Sequence, residues 1–226
     1  MATVTFDPDT HCYTVDGITI PSVTQRIKAA GLLGPAVSCY SPESAARGIA
    51  AHLACADRDQ GRDVTTWLAG EFGGYLASYT HWCDVMLPTW TAIESPQYSS
   101  RYHTAGTPDR VGTISGRPVV LDLKTGRQAH WHGIQVALYC LLQDDDIPPR
   151  ERRRLVLYLR KDGRMAQSVE FTSPSDFTTA LTLCATQETT DASDHPHTPR
   201  TGPASDHGPA PATGTGTANA RPRRTR

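Results

Sequence analysis

Residues 105–126, AGTPDRVGTISGRPVVLDLKTG, form two β-rich runs around a Ser-Gly turn, and in the second run apolar and charged positions alternate. Leu121 and Leu123 point one way there, while Asp122 and Lys124 point the other. Upstream, VTFD and CYTVDGITI read as a short N-terminal hairpin. A helix follows, capped by Ser22 and ending near Gly31, and a second helix has Ser41 as cap, Pro42 in its first position and Gly61 past its end. A long, partly helical stretch is expected from about Val64 to Ala92, interrupted by Gly73–Gly74 and Pro88. Strands are expected at about 101–114, 118–124 and 153–161, with the helix AHWHGIQVALYCLLQ between the second and third. The strand MAQSVEFT and a helix from Pro174 to about Gln187 close the pattern. This order predicts an α/β (α+β) domain, a mixed sheet flanked by helices with an extra N-terminal hairpin and helices.

Composition changes this picture at the C-terminal end. Hydrophobic residues make up 38% of the 226, and from about Gln187 onward there is no aromatic residue and no aliphatic larger than Ala. Such a segment cannot bury enough apolar surface to offset chain entropy. The expected organisation is therefore a domain over 1–187 and a disordered Pro/Thr/Gly/Ala-rich tail over 188–226. The net charge of −1 gives no overall nucleic-acid signal, so any basic footprint must be local. RERRRLVLYLRKDGR, residues 150–164, is the candidate, and it reads equally as a strand edge kept soluble by charge. The N-terminus has no basic start or apolar run and nothing approaches a membrane span, so a cytoplasmic protein without membrane contact is expected. The six cysteines (12, 39, 55, 83, 140, 184) lack a CxxC pair and read as free thiols.

The charges of the hairpin need partners or a purpose. With a turn at Ser115–Gly116, Asp109 and Asp122 fall nearly opposite or diagonal on adjoining strands, within reach of one ion. Two carboxylates that close repel unless a cation or proton lies between them, and carboxylate oxygens suit Mg²⁺ or Mn²⁺. Lys124 can hold a hydrolytic water or stabilise charge on a phosphate. The plain alternative is an exposed Asp–Lys ion pair with Asp109 a turn-proximal acid.

Pro108-Asp109 followed by Asp122-Leu123-Lys124 resembles the PD-(D/E)xK nuclease superfamily, specifically its RecB-like and phage-exonuclease branch. Further features are similar to that branch: Gly48 and His52 in RGIAAHL, Glu94 ahead of the first Asp, Gln135 and Tyr139 in GIQVALY, and the opening HCYTVDGITIPSVTQRIKAAG. The likeness covers about residues 10–172. It implies a restriction-endonuclease-like core and a Mg²⁺- or Mn²⁺-dependent DNA exonuclease of phage-type recombination, repair or replication. Asp109, Asp122 and the Leu123 carbonyl would hold the ion, with His52 completing the shell and Glu94 in or next to it. Lys124 would be catalytic, Gln135 and Tyr139 would approach DNA, and Thr125-Gly126 would admit a phosphate. His130 and His132 read as surface or phosphate-contacting residues. The implied partners are DNA and a single-strand annealing protein or recombinase. A site-specific endonuclease or junction resolvase, and a non-catalytic DNA-binding relative, are the rival readings. No iron–sulfur cluster is expected, since only Cys140 and Cys184 follow Lys124, and no phosphate-loop motor motif occurs.

Overall fold

Three short antiparallel strands open the chain in the computed structural model: β1 (Val4–Asp7), β2 (Cys12–Val15) and β3 (Ile18–Ile20). The structure describes residues 3–8, 10–34 and 41–186; the expected tail over 188–226 and Cys39 lie outside the described residues. The N-terminal hairpin is thus a meander, because Asp16 and Gly17 both adopt positive φ (50° and 82°) and turn the chain once more. Helix α1 (Val23–Ala29) starts from a capping box in which Ser22 and Gln25 satisfy each other's backbone N–H. Helix α2 (Pro42–Asp59) is capped by the Ser41 side chain and has Pro42 in its first turn.

The stretch from 64 to 92 is partly helical and interrupted near Gly73 and Pro88 as expected, but it ends in a strand. It holds α3 (Thr65–Ala69), α4 (Gly73–Met86) and then a strand, β4 (Thr89–Ile93). Gly73 begins a helix rather than breaking one, because the Leu68 carbonyl leaves no room there for a Cβ. Leu87, at φ 47°, ends α4, and Trp90, Thr91 and Ile93 suit a pleated surface. The run expected as one strand over 101–114 is likewise divided. β5 (Gln97–Ser99) pairs with β6 (Thr104–Gly106), and β7 (Arg110–Ile114) belongs to another sheet. Pro108, which has no N–H to give a ladder, sits at the break.

The main sheet has the order β10–β9–β8–β7–β4, with β8 (Arg117–Lys124), β9 (Arg153–Tyr158) and β10 (Gln167–Glu170). Only β8 and β9 run parallel, joined by the crossover helix α5 (Trp131–Leu141). Strand alternation sends Val119, Leu121 and Leu123 into one core with α2 and α4 residues such as Leu76, Tyr79 and Trp82. Val111 and Val120 face the other core, with α1, α5 and α6 (Pro174–Ala185). The sheet is therefore covered on both faces, the mixed α/β architecture expected for a restriction-endonuclease-like core. β9 lies second from the edge, so the basic run does not line a sheet edge. Arg152 and Arg154 are buried in acidic partners, Asp145 and Asp176, and Arg153 pairs with Glu170.

Candidate active site

The β7–β8 hairpin turns on Ser115 and Gly116, both at positive φ (51° and 74°), which matches the twist of the strands. Its register runs from Ile114↔Arg117 to Arg110↔Leu121, so Asp109 and Asp122 come next, facing one another where the ladder ends. Asp109 does not project freely: its Oδ2 accepts the backbone N–H of Leu123 at 2.5 Å. That bond fixes one carboxylate against the strand that carries the other.

Helix α2 and strand β4 bring two further groups to Asp109. His52 Nδ1 lies 3.3 Å from Asp109 Oδ1 and 3.6 Å from Glu94 Oε1, while its Nε2 is 3.1 Å from the Leu123 carbonyl. Ligand atoms of His52, Glu94 and Asp109 all lie within 4.8 Å of one another. Glu94 sits at φ 44°, a conformation that costs a non-glycine residue on the order of 1 kcal/mol, and its N–H donates to the Asp109 carbonyl at 3.0 Å.

Behind this group is a residue that the sequence reading passed over. Arg110 is fully buried; its Nε donates to Asp59 at 2.6 Å and its Nη1 to Glu94 at 3.0 Å and to the Asp109 carbonyl at 2.6 Å. Tyr79 donates to the same Asp59 oxygen at 2.6 Å. Arg110 therefore ties the end of α2 to Glu94 and to the backbone of Asp109. The signal was present in PDRVG, a guanidinium entering an apolar strand beside a carboxylate, but its partners are remote in sequence.

The surroundings separate the two aspartates. Burial alone would raise Asp109, but His52, Lys124 and the Leu123 N–H together hold it below the usual carboxylate range. Asp122 is pushed up to about 6 by burial and by the charge of Asp109, with Lys124 opposing. For His52, burial acts downward, yet Asp109 and Glu94 outweigh it and push the imidazole up to about 10. Both ring nitrogens face acceptors, so His52 rests as an imidazolium.

Lys124 Nζ stands 2.5 Å from Asp122 Oδ2 and 5.6 Å from the Trp131 ring centre. Asp122 lies outside the trio and shares its strand face with Lys124, with which it pairs. The sequence implies an ion held by Asp109, Asp122, the Leu123 carbonyl and His52 with Glu94 in or next to the shell; the structure groups His52 with Glu94 and Asp109, and Asp122 stands alongside. Gln135 and Tyr139, one turn apart on α5, are both buried, and Gln135 Nε2 donates to the Tyr139 hydroxyl at 3.1 Å. Thr125 and Gly126 follow directly after β8, Gly126 exposed, with open space where a Cβ would stand. Of the two histidines read as surface or phosphate-contacting, His130 is exposed but His132 is buried. His132 Nδ1 accepts from the Ala129 N–H at 3.3 Å and from the Tyr158 hydroxyl at 2.7 Å, and burial, then Lys124, lowers its pKa to about 3.

The donor set fits a divalent cation. Two carboxylates converge on one nitrogen of an imidazole that now carries a proton-borne charge, and the Leu123 carbonyl meets its other nitrogen. Beside them the buried Asp122 Oδ2 has no hydrogen-bond donor aligned on it, only the Lys124 charge. Oxygen donors with one imidazole suit Mg²⁺ or Mn²⁺. Among the described residues no helix is long and apolar enough to cross a membrane. No curated protein matches the chain. A family model does match, over residues 40–204, which leaves the expected likeness of the opening segment outside it and runs past the expected end at 172. The match spans most of the chain and includes every residue of this site, so the protein belongs to the PD-(D/E)XK nuclease superfamily.

Proposed function

We propose that the protein is a Mg²⁺- or Mn²⁺-dependent deoxyribonuclease of the RecB-like, phage-exonuclease kind, hydrolysing phosphodiester bonds from DNA ends in recombination, repair or replication. The observation that carries this reading is the convergence of His52, Glu94 and Asp109 within 4.8 Å, beside an Asp122–Lys124 pair on the neighbouring strand. His52, Glu94, Asp109 and the Leu123 carbonyl would hold the ion, with Asp122 supplying a further carboxylate. The bound ion would supply a Lewis acid for a phosphate oxygen and make water a better nucleophile at neutral pH. Lys124 would position the attacking water and offset charge developing on the phosphate. Arg110 keeps Glu94 aimed at the site, and Thr125-Gly126 leave space for a phosphate at the strand end. Gln135 and Tyr139, expected at DNA, would orient the site from beneath it. The reading implies a cytoplasmic setting and a single-strand annealing protein or recombinase as protein partner.

The test is a time course with Mg²⁺ or Mn²⁺ on end-labelled linear DNA and on covalently closed circles. Progressive shortening of the linear substrate with intact circles is the expected result. Nicking or linearising of the circles would replace the exonuclease with an endonuclease or resolvase. No cleavage of either would favour a non-catalytic DNA-binding relative.

A further inference from the structure

A cleft of about 660 Å³ opens from the site and runs between α2 and the segment that links β8 to α5. It shares His52, Leu123 and Lys124 with the site, and its far walls carry Arg47, Ile49, Arg127 and Trp131. No Asp or Glu is among its described lining residues, although acids abound elsewhere on the chain. Arg47 Nε reaches across from α2 to the Thr125 hydroxyl at 3.4 Å. Its terminal guanidinium nitrogens make no hydrogen bond or ion pair among the described residues, and Arg47 lines this cleft with Lys124 and Arg127 as well as a neighbouring pocket with Glu43 and Glu71.

Two glycines line opposite walls. Gly48 lies inside α2, where glycine costs roughly 1 kcal/mol relative to alanine. Among the described residues a Cβ at Gly48 or at Gly126 would meet nothing within 4 Å, and neither has a positive φ. Neither internal packing nor backbone conformation therefore accounts for them. Both leave bare backbone where another chain can approach closely. Trp131 supplies a flat apolar surface beside them: it is half-buried, braced edge-on by the His132 ring at 4.3 Å, and flanked by Lys124.

Cations without acids, an indole face, an aliphatic side chain and bare backbone together match one ligand chemistry. Phosphates meet the arginines, and a base stacks on the indole. A duplex keeps its base faces covered by their neighbours except on the terminal pair, so an unpaired strand presents far more of them to Trp131. We infer that this cleft is a subsite for the unpaired end of a DNA strand, with a base stacked on Trp131 and the adjoining phosphates held by Arg47 and Arg127. The inference rests on the nuclease reading for its substrate class and adds that the strand enters the site unpaired.

Fluorescence anisotropy on the full chain, with EDTA present so that no cleavage occurs, tests it. The probes are labelled oligo(dT), the same length of abasic backbone, and a blunt duplex. Trp131→Ala should weaken oligo(dT) binding by about 10-fold and leave the abasic strand nearly unchanged, with Trp131→Phe recovering most of the loss. Arg47→Ala should weaken both strands and reduce the salt dependence by about one ion. Melting curves establish that each variant is folded. The subsite is overturned if folded Trp131→Ala binds oligo(dT) as the parent does, if it loses oligo(dT), abasic strand and duplex equally, or if the parent prefers duplex. Cleavage by the parent with metal is scored separately. Intact cleavage with Trp131-independent binding removes the subsite alone, whereas Trp131-dependent binding without any cleavage removes the nuclease reading alone.

Discussion

The parallel pair β8–β9 has charged residues at both ends, and the two ends treat them in different ways. At the start of β9 each arginine is matched: Arg152 with Asp145, Arg153 with Glu170, and Arg154 with Asp176 at 2.9 Å and the Ser173 carbonyl at 2.9 Å. At the end of β8 the charges are paired too, Asp122 with Lys124 and Glu94 with Arg110, but like charges crowd together. Asp122 and Asp109 face each other in the interior, and a single imidazole is shared between Asp109 and Glu94. Buried charges that are paired and hydrogen-bonded serve the fold. Like charges crowded together in the interior oppose it and persist where a cation lies between them. Crowding of like charges, rather than any motif, marks the end of β8 as the candidate site.

The contrast breaks most visibly at Asp122. Asp122→Asn removes one negative charge at nearly constant volume and should cut single-turnover cleavage by about 10³-fold or more. Because Asp122 rests at about 6, its carboxylate opposes folding at neutral pH, so the variant should melt no lower than the parent. Cleavage at the parental rate would remove Asp122 from the chemistry. At the other end the pattern reverses. Arg154→Ala strands the buried Asp176 and should cost about 3 kcal/mol, read as a fall of roughly 6–12 °C in melting temperature. Its rate per folded molecule should not change, and a lost rate with an unchanged melting point would invert the assignment of the two ends.

Arg110→Lys keeps the charge but cannot reach Asp59 and Glu94 together. Mn²⁺ affinity, measured by calorimetry on the folded variant, should fall about 10-fold, the scale for losing a group that orients a ligand. An unshifted titration would make Arg110 a core residue only.

Acidity sharpens the same point. His52 is raised from 6.5 to about 10, so its favourable contribution is fully present below pH 6.5 and is lost as pH rises toward 10. The metal-free protein should thus lose melting temperature across that window, and His52→Gln should flatten the loss. Since a ligating imidazole must give up its proton, Mn²⁺ affinity should rise with pH by up to about tenfold per unit over the same range. A pH-independent affinity would take His52 out of the ligand set. The smallest effect belongs to Arg153→Ala. Its pair with Glu170 is partly exposed, and its loss should change stability by no more than about 1 kcal/mol and leave cleavage untouched.

Local rules were enough for much of this molecule. The caps at Ser22 and Ser41, the Ser115–Gly116 turn, the facing of Asp109 and Asp122, and the place of Lys124 on one strand face all follow from residues a few positions apart or from counting outward from a turn. The same rules misread Thr89–Ile93, whose strand pairing depends on a partner, β7, some twenty residues away, and on Gly112, where the Thr89 carbonyl leaves no room for a Cβ. They also left the arginine run open between a basic footprint and a strand edge, since nothing local says that β10 will cover β9. The choice of Glu94 over Asp122 beside His52, the burial of His132 and the whole Arg110–Asp59–Tyr79 link were decided only in three dimensions. Those contacts join helices and strands from 16 to 51 residues apart in the case of Arg110 alone. Alternation sets which way a side chain points on its own strand, but packing sets what stands opposite it.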